Sequence, residues 1–114
     1  MRITKVDQAP EYVAPGHANV DTRRLQGLEA GDTENFWVGL SVYAPGVIAE
    51  TSPTRAETIY VVLDGELTLT FEGESHVLGK HDSVHFGAGE VRGLVNESGA
   101  PSTLLVAIAY PKVA

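Results

Sequence analysis

The chain contains no cysteine, no long apolar run and no cluster of positive charge, and each absence excludes a class of protein. Without cysteine, neither a disulfide framework nor a thiolate zinc site can form. The first residues lack the apolar stretch of a signal peptide, and no run approaches the roughly 20 apolar residues that span a bilayer. We therefore expect a cytoplasmic protein without a membrane partner.

Positive charge is scarce as well as scattered. The 8 Lys and Arg residues are outnumbered by 15 Asp and Glu residues, which gives a net charge of −7. Nucleic-acid backbones are bound by clustered positive charge, so we expect no nucleic-acid partner. A small organic anion remains a reasonable ligand, because one buried arginine can bind it whatever the overall charge.

Turn-forming residues divide the 114 residues into short segments that fit one all-β domain. Residues 1–35 are polar and are predicted to form an arm with short strands at 2–6 and 22–28. Residues 36–114 are predicted to form a barrel, with strands at 36–43, 58–63, 67–71, 75–78, 83–86, 91–95 and 103–110. Asp64-Gly65 predicts a hairpin turn. No window of helical length shows a 3.6-residue period, which favours a sandwich or closed barrel.

Two spaced patterns resemble the motifs of the cupin superfamily, and specifically its small single-domain conserved-barrel proteins. The first motif has the form G-x5-H-x-H-x3-E-x6-G, and its positions fall on Gly46, Ser52, Thr54, Thr58 and Gly65. The second has the form G-x5-P-x-G-x2-H-x3-N, and its positions fall on His81, Gly87, Gly89, Arg92 and Asn96. The resemblance covers about residues 36–110 and implies a double-stranded β-helix, a jelly roll with a pocket in its mouth.

The chain departs from the family at the four positions that usually bind Fe, Mn, Ni or Zn. These positions hold Ser52, Thr54, Thr58 and Arg92. Neutral hydroxyls are poor ligands for such ions, and a cation would repel them. We therefore expect no metal and no cofactor, and the family's metal-dependent chemistry does not carry over.

Arg92 allows two interpretations. As a functional residue, its guanidinium would anchor a carboxylate or enolate through bidentate hydrogen bonds. As a structural residue, it would fill the vacant metal position and pair with Glu57 or Glu90. A buried unpaired charge is costly, so one of the two should hold.

The other candidate site residues carry polar or aromatic groups near the same position. Ser52, Thr54 and Thr58 are candidate donors to a polar ligand, or they simply fill space. His85 and Tyr60 are the candidate catalytic acid–base groups, provided that they face the pocket. Trp37 is expected to line the pocket or the core.

Three functions remain open from these residues. The first is a metal-independent lyase, isomerase, cyclase or decarboxylase that acts on a carboxylated or enolisable compound held by Arg92. The second is a non-catalytic module that binds a small acid. This hypothesis is favoured if neither His85 nor Glu57 points inward. The third, weaker one is a metal enzyme with unusual ligands. Cupins of this size often dimerise, so we expect a homodimer.

Overall fold

The structure is a computed structural model that describes residues 1–14 and 19–111. Its strands are β1 (Val20–Gln26), β2 (Phe36–Tyr43), β3 (Ile48–Pro53), β4 (Thr58–Asp64), β5 (Leu67–Phe71), β6 (Glu74–Leu78), β7 (Ser83–Phe86), β8 (Val91–Val95) and β9 (Ser102–Ala109). The helices of the described residues are two three-residue 3-10 turns, Val6–Gln8 and Leu28–Ala30. None of these helices is long enough to cross a membrane.

The strands form two antiparallel sheets that face each other. The larger sheet has the order β1-β2-β9-β4-β7, and the smaller has the order β3-β8-β5-β6. Sequence neighbours are often separated by other strands, as expected of a jelly roll rather than a simple meander. The predicted all-β jelly-roll barrel is therefore confirmed.

Alternation along the strands places one set of side chains between the sheets. In β4, Thr58, Tyr60 and Val62 are buried, and the residues between them face outward. Strands β2 and β9 follow the same period-two rule. The shared core consists of Tyr43, Ala49, Tyr60, Val62, Leu67, Leu69, Phe86, Leu94, Leu104 and Val106. This packing holds both sheets at a fixed distance around the interior.

The N-terminal residues match the prediction only in part. The strand predicted at 2–6 is wrong, because this segment has no ladder and is held instead by its Arg2 side chain. That guanidinium donates to the carbonyls of Gly31 and Asp32 at 3.0 and 2.9 Å. The strand predicted at 22–28 exists as β1, and it pairs with β2 in the larger sheet. The division into an arm (1–35) and a barrel (36–114) stays a prediction, and residues 15–18 and 112–114 lie outside the described part.

Strand β3 is not predicted by the sequence and carries an irregularity that matters for the site. Ala49 pairs with Leu94 and Ser52 with Arg92, so two residues of β3, Glu50 and Thr51, oppose one residue of β8. This β-bulge resets the alternation and returns Ser52 to the inner side. The opposing residue is Gly93, where a Cβ would lie 2.7 Å from the Thr51 hydroxyl.

Candidate functional site

A cavity of about 710 Å³ lies inside the barrel and is lined by both sheets and by the N-terminal arm. Its size falls within the range that holds small organic ligands, roughly 300–1,000 Å³. The polar and aromatic lining residues include Tyr12, Arg24, Trp37, Tyr43, Glu50, Ser52, Thr54, Arg55, Thr58, Tyr60, Arg92 and Tyr110. Six of the seven sequence-predicted site residues are among them, and His85 is not.

Arg92 on β8 is 93% buried and is held by three hydrogen bonds. Its Nε donates to the hydroxyl of Tyr60 at 2.9 Å. Its Nη1 donates to the hydroxyl of Ser52 at 3.2 Å and to the carbonyl of Glu50 at 3.4 Å. These contacts fix the guanidinium plane, while its Nη2 has no hydrogen bond to any described residue.

The structural interpretation of Arg92 as half of an ion pair is wrong. Glu57 pairs instead with His85, with 2.7 Å between the carboxylate and Nε2. The Glu90 carboxylate accepts a hydrogen bond from the amide of Gly87 at 2.8 Å. Within the described ranges no carboxylate lies within ion-pair distance of Arg92. Among the described residues, the partners of this buried positive charge are therefore neutral oxygens.

The hydroxyls of Ser52, Thr54 and Thr58 lie in the cavity wall, and each takes part in a hydrogen bond within the protein. Thr54 Oγ1 donates to the carbonyl of Gly87 at 2.8 Å, and Thr58 Oγ1 donates to the carbonyl of Ala56 at 2.9 Å. Ser52 Oγ accepts from Arg92 and keeps its own proton for another partner. Ser52 is thus the best placed of the three to donate to a ligand.

The donor set does not suit the metals that cupins usually hold. Two hydroxyl protons point to backbone carbonyls, and the fourth ligand position carries a guanidinium. No cluster of three or more His, Cys, Asp or Glu side chains with metal-site geometry occurs in residues 1–14 and 19–111. Hydroxyls and arginine are poor ligands for ions that favour imidazole and carboxylate.

Purified protein is accordingly expected to contain well under one transition-metal ion per chain. Inductively coupled plasma mass spectrometry of untagged protein measures this directly. About one equivalent of Fe, Mn, Ni or Zn that survives dialysis against a chelator would contradict the interpretation of the four positions.

His85 was predicted as a proton-transfer group beside Arg92, and the structure places it on the other side of the sheet. Its neighbours Val84 and Phe86 pair with Tyr60 and Thr58, which point inward, whereas His85 pairs with the outward-facing Ile59. The His85 side chain is 56% exposed and that of its partner Glu57 is 67% exposed. The period-two alternation of the strand is the physical reason, and neither group reaches the cavity.

An aromatic cage in the cavity wall was not predicted from the sequence. The guanidinium carbon of Arg24 lies 3.5 Å from the ring centre of Tyr12 and 4.1 Å from that of Trp37. The two rings meet edge to face, with 5.7 Å between their centres. A Cβ on Gly39 would lie 2.8 Å from the Trp37 ring, so glycine is needed for the cage to form. Of the three cage residues, Trp37 alone falls within residues 36–110, where the chain resembles cupins, so the motifs do not indicate this cage.

Two tyrosines of the cavity remain neutral at physiological pH. Burial raises the pKa of Tyr43 above its usual value. Burial also raises the pKa of Tyr12, although Arg24 and a hydrogen bond with Ser41 partly oppose it. Neutral phenols can both donate and accept hydrogen bonds, so these residues present polar but uncharged groups to a ligand.

Comparisons with known proteins agree with this barrel. The family model described as Cupin domain matches residues 39–108. A Mycobacterium tuberculosis (strain ATCC 25618 / H37Rv) protein named Beta-D-galactosidase Rv1717 is 58% identical over 111 residues, covering 97% of this chain and 96% of the relative.

Two solved structures share the fold across most of the chain. The polyketide cyclase RemF from Streptomyces resistomycificus has a TM-score of 0.83 at 19% identity, covering 96% of this chain and 79% of that one. A sugar phosphate isomerase of a cupin superfamily from Silicibacter pomeroyi has a TM-score of 0.77 at 25% identity, covering 93% and 74%. Motif spacing, barrel topology and the family match together show that the chain belongs to the cupin family.

Proposed function

We propose that this protein is a glycoside hydrolase that acts on β-D-galactosides in the barrel cavity without a metal ion. The observation that carries the proposal is the 58% identity to a protein named a beta-D-galactosidase. That similarity spans nearly the whole of both chains, so it includes the arm that supplies Tyr12 and Arg24 as well as the barrel framework. The cavity dimensions and its lining support the same proposal.

The cavity offers the two kinds of contact that a galactoside needs. Trp37 and Tyr12 present aromatic surface, against which an aryl aglycone can pack. Arg92, Ser52 and Tyr60 supply donors that suit ring hydroxyls and the glycosidic oxygen. A volume of about 710 Å³ accommodates a sugar together with part of its aglycone.

Tyr60 is the proposed acid. Its oxygen accepts a hydrogen bond from Arg92 Nε at 2.9 Å, which leaves the hydroxyl proton free to be donated elsewhere. As this proton moves to the glycosidic oxygen, the bond from that oxygen to the anomeric carbon breaks and the aglycone leaves as an alcohol. The phenolate that remains is stabilised by the fixed positive charge of Arg92.

Glu50 is the proposed base, because it is the one acidic residue among the described residues that line the cavity. It lies exposed in the bulge of β3, where its carbonyl accepts a hydrogen bond from Arg92 and its carboxylate is open to solvent water. It takes a proton from water, whose oxygen bonds to the anomeric carbon. The proton then returns through solvent from Glu50 to Tyr60. Retaining glycosidases use two carboxyl groups about 5–5.5 Å apart, whereas one base acting on water gives a single displacement. The proposed reaction therefore inverts the anomeric carbon.

Hydrolysis assays on metal-free protein test the proposal. Chelator-treated protein is expected to hydrolyse 4-nitrophenyl β-D-galactoside and to leave the α-D-galactoside intact, in keeping with the name of the relative that is 58% identical. Tyr60→Phe, which keeps the ring and removes the acid, is expected to abolish turnover. The absence of β-galactoside hydrolysis, or full activity in Tyr60→Phe, would contradict the proposal.

A second candidate is a cavity that binds a small organic anion, either without turnover or with metal-independent lyase, isomerase, cyclase or decarboxylase chemistry. The observation that favours binding alone is the outward position of His85 and Glu57. Calorimetric titration with small carboxylates separates the candidates. Saturable carboxylate binding to a protein that neither binds nor hydrolyses galactosides would favour the second.

A further inference from the structure

The cavity carries a charge opposite to that of the whole molecule. Among the described residues that line it, three are arginines, Arg24, Arg55 and Arg92, and one is acidic, Glu50. These residues give the wall a formal charge of +2, whereas the chain has a net charge of −7. A neutral galactoside needs no such field, but an anion entering the cavity would be attracted by it.

Arg24 is unusually well fixed for a residue with so few hydrogen bonds. Its guanidinium carbon lies in the corner between the two perpendicular rings, 3.5 Å from the ring centre of Tyr12 and 4.1 Å from that of Trp37. Its one ion pair among the described residues is with Glu29, whose carboxylate meets Nε at 3.3 Å. Nη1 is buried without any hydrogen-bond partner, and Nη2 has none among the described residues either. The edge formed by Nη1 and Nη2 is therefore unpaired.

Arg24 lies across the larger sheet from the proposed catalytic pair. It pairs with Gly39, which pairs with Val106, which pairs with Tyr60. Three inter-strand steps separate the Cα atoms of Arg24 and Tyr60 by about 14 Å. The cavity thus has one cationic group, Arg92, hydrogen-bonded to Tyr60, and a second, Arg24, three strands from Tyr60 along the larger sheet. Two separate cationic groups suit a ligand with two polar ends.

We propose that Arg24 is a specificity-determining residue that binds a carboxylate on the aglycone, so that the preferred substrate is an acidic β-D-galactoside. The unpaired edge matches the two oxygens of a carboxylate, and the contacts with the two perpendicular rings hold the guanidinium in place before the ligand arrives. The competing interpretation is that Glu29 already satisfies Arg24, but Glu29 meets only Nε. That the substrate carries galactose rests on the proposed galactosidase function. That it carries an anionic group rests on the contacts of Arg24 with Tyr12 and Trp37.

Two fluorogenic substrates that differ by one carboxylate test the inference. Wild-type protein is expected to show a higher kcat/KM for 3-carboxyumbelliferyl β-D-galactoside than for umbelliferyl β-D-galactoside. Arg24→Leu should lower that ratio roughly tenfold to a hundredfold, because a charged hydrogen bond is lost. Comparing ratios between proteins cancels the difference in leaving group. Arg24→Lys should lower the ratio less, since it keeps the charge without the fork.

Arg23→Leu is the matched control. Arg23 precedes Arg24 on β1, pairs with Glu11 and Asp21, and does not line the cavity, so the same loss of charge should leave the ratio unchanged. An unchanged ratio in both Arg24 variants, or an equal fall in Arg23→Leu, would overturn the inference.

Calorimetric titration with 7-hydroxycoumarin-3-carboxylate separates this inference from the proposed function. Binding that is lost in Arg24→Leu, by a protein that hydrolyses neither galactoside, would refute the galactosidase while keeping the anion subsite. Hydrolysis of both galactosides at equal rates by wild type, with no binding of the free acid, would refute the subsite alone.

Discussion

Replacing Glu50 by glutamine is expected to lower kcat for β-D-galactoside hydrolysis by about 10²–10⁴-fold, the usual contribution of a general base. The substitution keeps the size and hydrogen-bonding shape of the side chain but removes its ability to take a proton from water. Substrate binding should change much less, because in the proposed complex the galactoside is held mainly by Arg92, Ser52 and the aromatic residues. Steady-state kinetics and calorimetric binding on the same preparation measure the two effects separately.

The matched control is Glu57→Gln. Glu57 carries the same group on the outer face, where it pairs with His85, and it does not line the cavity. We expect this variant to keep wild-type kcat. Equal activity of Glu50→Gln and wild type would show that Glu50 is not the base.

Replacing Arg92 by leucine is expected to raise the Kd for a β-D-galactoside roughly tenfold to a hundredfold, and to lower kcat by about 10²–10³-fold. The first effect is the loss of a hydrogen bond from a charged group. The second is the loss of the positive charge that stabilises the Tyr60 phenolate, comparable to removing one oxyanion-hole donor. Calorimetry gives the Kd and single-turnover kinetics gives the chemical step.

Arg92→Lys should recover only part of both losses, because lysine keeps the charge but lacks the planar fork that reaches Tyr60 and Ser52 together. Circular dichroism and thermal unfolding of each variant exclude simple misfolding. If Arg92 only fills the position that binds metal in other cupins, Arg92→Leu will leave Kd and kcat unchanged and can even raise the free energy of unfolding.

The framework of the fold follows from the sequence because strands and tight turns are encoded locally. Period-two alternation in β5, β-branched residues in β4 and the Asp64-Gly65 turn each specify structure over a few residues. At Gly65 the φ angle is 77°, and a Cβ there would lie 2.5 Å from the Ser102 hydroxyl. Glycine is thus required by both backbone and packing, which explains why the motif spacing is a dependable guide.

The side of the sheet on which a residue lies was harder to predict, because one extra residue reverses it. His85 belongs to a four-residue strand with no strong alternation in its sequence, and its outward direction follows only from its pairing with Ile59. The bulge in β3 is likewise set by the pairing with β8 across Gly93. Without that pairing, the exposed Glu50 could not be placed at the cavity, where its carbonyl meets Arg92.

The N-terminal arm supplies two cavity residues, Tyr12 and Arg24, that the cupin motifs do not indicate. Both lie outside the region that resembles cupins, and the pair Arg23-Arg24 is typical of a charged surface in the sequence. Strand β1 turns one arginine outward and the other into the cavity, where it meets Trp37 from β2. Such a cage is a tertiary feature, assembled only when the arm pairs with the barrel.

Proton NMR of galactoside hydrolysis tests the central claim most directly, because it observes the sugar that leaves the cavity. Wild-type, metal-free protein is predicted to release α-D-galactose first from a β-D-galactoside, before mutarotation equilibrates the anomers, and Glu50→Gln is predicted to release almost none. Initial release of β-D-galactose, or no release even with protein in excess over substrate, would contradict a single displacement by Tyr60 and Glu50 in this barrel.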